Sequence, residues 1–181
     1  MFDTVVRCGD ELAEVVAALD PDRLAGPAAR EWWAAFQRID RLASAGMTLL
    51  ARRVAATHRP NQHGTKTAAE DLARRAGTTT GAAKDAVDTS ARLPEQPAVD
   101  GALRRGALSP AQVALISAAA AANPAEEARL VELAARVSVA ELREECARIR
   151  AAADPDPEAT GVPSAFRTVN PIGSVPERGG I

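Results

Sequence analysis

His58 and His63, in the run ATHRPNQHG, are the only histidines of the chain. Imidazole is the side chain best suited to hold a divalent metal or to take a proton from water near neutral pH. A hydrolytic metal centre needs further ligands, and neither histidine has a cysteine or carboxylate cluster beside it. Pro60 stands between them and marks a turn. The pair is read as a coincidence of a helix end, and no metal, cofactor or catalytic residue is assigned. The hydroxyls lead to the same result. Ser109 and Ser138 stand where helix caps are expected, and neither they nor Ser117 has a histidine at a spacing that implies activation. Gly77, Gly81, Gly101 and Gly106 fall at separate helix ends and form no phosphate-cradling loop. This chain alone is not expected to be an enzyme.

What remains is positive charge. The pairs Arg52-Arg53, Arg74-Arg75 and Arg104-Arg105 fall mostly near helix ends, where a cation is favoured by the helix dipole. Residues 71–87, DLARRAGTTTGAAKDAV, have the outline of a helix-turn-helix: a helical run, a glycine, three threonines and a second helical run. Leu72, Ala73, Ala76, Gly77, Ala83 and Ala86 supply the small crossing that such a corner requires. Contacts to a duplex would come from Arg74, Arg75, Thr79, Thr80 and Lys84, with Arg104 and Arg105 if they share that face. Against this, the second helix sets one lysine beside Asp85 and Asp88, and those carboxylates oppose a phosphate backbone. Any DNA binding is expected to be weak, and a structural corner is favoured over a DNA-reading helix.

The elements that position these residues are all helical. The 181-residue chain is 46% hydrophobic but only 3% aromatic, so its core must come from close helix–helix approach with much alanine. No segment alternates as a strand would. Helices are expected over 3–19, over 27–58, from Thr67 to Gly77, from Thr80 to Leu93 and from Pro97 to Gly106. Ser109-Pro110 with Gln112, Asn123-Pro124 with Glu126, and Ser138 with Glu141 mark further starts. Trp32, Phe36, Ile39, Ala43, Gly46, Leu50 and Val54 form one stripe along the 27–58 helix, the expected spine of the domain. Trp32 and Trp33 are assigned to packing. The fold is therefore an all-α, mostly antiparallel helical domain over 1–153, with a Pro- and Gly-rich tail over 154–181 expected to be disordered.

Composition narrows the setting. A formal net charge of -2 gives no global attraction to nucleic acid or to an anionic membrane. The most apolar run, VALISAAAAA at 113–122, is about half of what a membrane helix needs, and the N-terminus does not read as a signal peptide. Cys8 and Cys146 are expected to be buried thiols without a disulfide, and the compartment cytoplasmic.

Leu93-Pro94, the corner GALRRGALSPAQ at 101–112 and the helix ELREECARIR resemble a bacterial domain of unknown function. That domain is found upstream of HNH endonuclease modules in many high-GC bacteria, and the likeness covers roughly residues 27–160. The resemblance implies a helical accessory domain, here without the HNH module, and hence a truncated or stand-alone relative. Three roles follow. One is a nucleic-acid-binding accessory module, which needs the arginine pairs on one face. Another is an interaction or self-association module, which needs an uncovered apolar stripe on the long helix. The last is a non-functional remnant of a nuclease gene.

Overall fold

The computed structural model describes residues 1–61 and 64–153. They form eight α-helices: α1 (Phe2–Ala17), α2 (Gly26–Ala56), α3 (Ala68–Ala76), α4 (Thr80–Arg92), α5 (Pro97–Arg104), α6 (Pro110–Ala122), α7 (Glu127–Leu133) and α8 (Val139–Ala153). No strand occurs among the described residues. The tail assigned to 154–181 lies outside them.

Local chemistry sets the helix starts. At α3 the Thr67 hydroxyl accepts from the Glu70 N–H at 3.2 Å, and the Glu70 carboxylate accepts from the Thr67 N–H at 3.3 Å. This reciprocal box satisfies donors that a helix N-terminus would otherwise leave bare. Ser109 and Gln112 repeat it at α6, and Gln112 also donates to the Ala134 carbonyl at 2.8 Å, tying the start of α6 to the end of α7. At α8 the Ser138 N–H donates to Glu141 at 2.8 Å, and that bond holds the Glu141 carboxyl below the usual carboxylate range. Asn123-Pro124 departs from expectation. It opens a short 3-10 turn, Pro124–Glu126, and α7 follows directly.

Helix α4 is central, packing against α2, α3 and α6, while α6 also meets α8 and α5 meets α7. The core is small. Ile116, Leu130, Leu142, Val99 and Val113 are enclosed, with Ala102 and Ala119 filling the close approaches between helices. Two buried polar side chains tie it together. Glu127 accepts the Val99 N–H at 2.9 Å, and the Gln96 amide donates to the Ser117 carbonyl at 2.9 Å. The first bond serves a first-turn N–H of α5 that has no partner within its own helix.

The two cysteines part company. Cys146 is fully buried on α8, and burial pushes its thiol above the ordinary value. Cys8 is exposed on α1, which corrects the expectation that both are buried. The spacing of Cys8 fits a helix face, but that face meets no core. A maleimide should therefore modify Cys8 in the native protein far faster than Cys146, whose thiolate is both disfavoured and enclosed. Equal native rates, read by mass spectrometry, would mean that α8 is not packed.

Candidate interaction surface

Helices α3 and α4 do form the corner expected from the sequence. Gly77 ends α3 in the left-handed conformation (φ 64°), and the Thr78 N–H reaches the Ala73 carbonyl at 2.9 Å. Thr79 then caps α4 by accepting the Ala82 N–H at 3.1 Å. Ala73 and Ala83 are buried, and Leu72 and Ala86 are half-buried, whereas Ala76 is exposed.

The charges around this corner are spoken for. Arg75 donates to Asp71 at 2.8 Å and Arg74 lies 3.5 Å from the same carboxylate. Lys84 pairs with Asp88 at 2.5 Å, and Arg104 with Asp100 at 2.8 Å, a contact that keeps the Arg104 guanidinium firmly charged. Arg52, Asp100 and Arg104 all line a groove of about 310 Å³ between α2, α4 and α5. Arg105 is exposed, as are Thr79 and Thr80. Asp85 borders grooves lined by Ala111 and Ala114 of α6. His58 is half-buried, with its Nε2 enclosed and without a hydrogen-bond partner among the described residues, and His63 lies outside them. No cluster of three or more metal-ligating side chains occurs among the described residues. No helix among them is long and apolar enough to cross a membrane.

The largest difference from expectation concerns α2. The stripe from Trp32 to Val54 points away from the core. Along it Trp32 is 39% exposed and Leu50 60%, with Ile39 and Val54 also exposed; Trp33, off the stripe and in line with Ala51 but near the free end of the helix, is 68% exposed. Trp32 lies against Phe36 of its own helix, ring centroids 6.0 Å apart, and neither tryptophan is buried. Instead α2 meets the domain through Ala45, Thr48 and Ala51, which lie on the opposite side of the helix. Ser90 of α4 anchors this contact, donating to the Leu49 carbonyl at 3.2 Å and accepting the Arg52 N–H at 3.4 Å. The α5–α6 turn adds another, because Gly106 (φ 66°) lets the chain pass close to Leu42. Small residues let α4 and α5 approach the α2 backbone, so the bulky residues of the stripe are left on the far side.

Helix α1 is equally uncovered. None of its residues is buried, and it packs extensively against no other helix. Phe2, Val5, Val6 and Val16 are exposed on its apolar face. Every exposed large hydrophobic side chain among the described residues lies at or before Val54.

A family model described as Domain of unknown function (DUF222) matches residues 28–169. The chain belongs to the DUF222 family. The DUF222 match begins at the start of α2, leaves α1 outside, and continues past the Thr160 region where the sequence resemblance was placed to end. No curated protein and no solved structure matches the chain. Sequence reasoning found the stripe and the corner. It missed Gln96 and Glu127 as buried ties, and nothing in their local spacing sets them apart from surface residues. The core face of α2 did leave a signal, since Ala45, Thr48 and Ala51 recur every three residues.

Proposed function

We propose that this DUF222 chain is a non-catalytic interaction module that docks a helical protein partner along the outward apolar face of α2, with α1 contributing. The observation that carries this reading is the confinement of the exposed large hydrophobics to α1 and α2. Scattered apolar residues are normal on a surface, but collected stripes mark protein contacts. The non-catalytic reading draws on the hydroxyls. Ser109 and Ser138 are engaged as caps, and Ser117 is fully enclosed and cannot meet a substrate. If such domains accompany HNH modules, as the sequence resemblance implies, this one would recruit and position rather than cut.

Weak DNA binding through α3 and α4 is the lesser reading. A recognition helix must leave a face free for a groove, and α4 is packed by α2, α3 and α6. Its one lysine is paired with Asp88, and Asp85 stands one residue from that lysine. The test places a photo-crosslinking residue at position 32, in line with Leu50 on the outward stripe, and at exposed Arg136 as a control, in cells that make the chain. Position 32 should give a discrete protein adduct, lost when Leu50→Glu is added, and Arg136 should give none. Duplex DNA affinity should be weak and unaffected by Leu50→Glu. Absence of a position-specific adduct together with tight, salt-sensitive DNA binding would reverse the order of the two readings.

A further inference from the structure

Thr48 of α2 and Thr89 of α4 are only 7% and 2% exposed, yet neither hydroxyl makes a hydrogen bond among the described residues. A helical threonine commonly turns its hydroxyl back to a carbonyl of the preceding turn. Thr57 does so at the end of α2, donating to Val54 at 2.8 Å. Thr48 and Thr89 instead line one groove of about 300 Å³ between α2, α4 and α6. Its other walls are alanines, Pro110 and Val113, with Asp85 at the edge. Neither hydroxyl is among the buried polar atoms shut off from solvent, so each opens onto the groove. An apolar pocket with a few inward polar groups is the usual form of a small-molecule site.

A second groove, of about 310 Å³, adjoins the first, and Asp85, Ala111 and Ala114 border both. Beyond that border the second groove is lined by Leu115 and Ala118 of α6 and by Arg143 and Arg150 of α8. Asp85, Arg143 and Arg150 form no ion pair among the described residues. Arg150 donates only within its own helix, to the Cys146 carbonyl at 3.4 Å. Three surroundings therefore meet at one place: an apolar chamber with two hydroxyls, a carboxylate at its mouth, and two arginines on the far side.

We propose that this double groove binds a free α-amino acid whose apolar side chain ends in a hydrogen-bonding atom. The ammonium pairs with Asp85, the carboxylate with Arg143 or Arg150, and the side chain enters the apolar groove to meet Thr48 and Thr89. An amine without a carboxylate would face the arginines unanswered, and an acid without an ammonium would face Asp85. A zwitterion answers both. Each groove is of the size that small ligands occupy, from roughly 300 Å³ upward. The site lies on the clamped side of α2, apart from the outward stripe, and does not depend on the interaction reading above.

The probe is L-tyrosine, compared with tyramine, which lacks the carboxylate, and with hydroxyphenylpropionate, which lacks the ammonium. Binding to the full chain is read from backbone amide chemical shifts, which also locate it. L-Tyrosine should shift amides of α4, α6 and α8 around Asp85. Each analogue should bind at least about tenfold more weakly, because each leaves a charged group without its partner. L-Phenylalanine, without the phenol hydroxyl, should lose about two- to tenfold. Asp85→Asn should reduce L-tyrosine to the level of hydroxyphenylpropionate, and Arg143→Gln with Arg150→Gln to the level of tyramine. Ala86→Leu fills the apolar groove and should abolish the response, with Ala114→Leu as a second filling variant and folding of each checked by circular dichroism. Tyramine binding as tightly as L-tyrosine would remove the arginines from the site and overturn the proposal. Hydroxyphenylpropionate binding as tightly would do the same through Asp85. So would the absence of shifts, shifts confined to other helices, or a response that survives in a folded filling variant.

Discussion

Ile116→Ala should lower folding stability by about 3–4 kcal/mol, while Trp33→Ala, measured in dilute protein, should change it by less than about 0.5 kcal/mol. The ordering inverts what residue size alone suggests. Ile116 has no exposed surface and sits where α6 joins the core cluster, so removing its side chain loses burial and leaves a cavity walled by neighbours already in close contact. Trp33 is the bulkier residue, yet it keeps 68% of its surface in water. Folding of a single chain gains little from it. Urea denaturation of the two variants in dilute protein decides the matter. A Trp33→Ala loss comparable to that of Ile116→Ala would mean that Trp33 is covered within the chain.

Gly106→Ala should cost about 2–4 kcal/mol and Gly77→Ala about 1–2 kcal/mol, although the two glycines have nearly the same backbone conformation. Their φ values are 66° and 64°, so the penalty for placing an L side chain in the left-handed region is common to both. Their surroundings differ. A Cβ at Gly77 meets nothing within 4 Å, whereas one at Gly106 comes within 3.1 Å of both Cγ and Cδ2 of Leu42. The difference between the two losses therefore isolates the contact that sets the α5–α6 turn against α2. Equal losses, from parallel denaturation curves, would mean that Leu42 swings aside at no cost and that the turn does not position α2.

The caps were legible because capping is local. Thr67 with Glu70, Ser109 with Gln112 and Ser138 with Glu141 are each complete within four residues, and each forms as read. The α3–α4 corner was legible for the same reason, since a glycine and a capping threonine fix it. The direction of α2 was not. Helical periodicity identifies a face but does not say what the face meets, and on α2 two faces are periodic. The bulky one drew the assignment to the core, although burial there belongs to Ala45, Thr48 and Ala51. In a chain with so few aromatics, close backbone approach through small residues outweighed the area of the tryptophans. As for the candidate site, residues on the stripe could be named from sequence, but its openness is a tertiary fact. Charge pairing was partly legible: Lys84 with Asp88 and Arg104 with Asp100 stand four apart on their helices, the spacing at which side chains meet.

Helix α2 has a mechanical side as well. At 31 residues it runs about 46 Å as a single rod, with its only proline in the first turn. One length carries the tryptophans in solvent, and the other is clamped through Ala45, Thr48 and Ala51. A load taken up at Trp32 and Trp33 therefore reaches α4 as torque about that clamp, undiminished by any loop. The free arm enters the domain at Leu42, where the α5–α6 turn touches α2 through Gly106. Ser44-Ala45-Gly46, with a glycine that has no side chain to brace it, lies just inside that contact. Whatever grips the arm therefore loads the α5–α6 turn before the strain reaches Ala45 and the core.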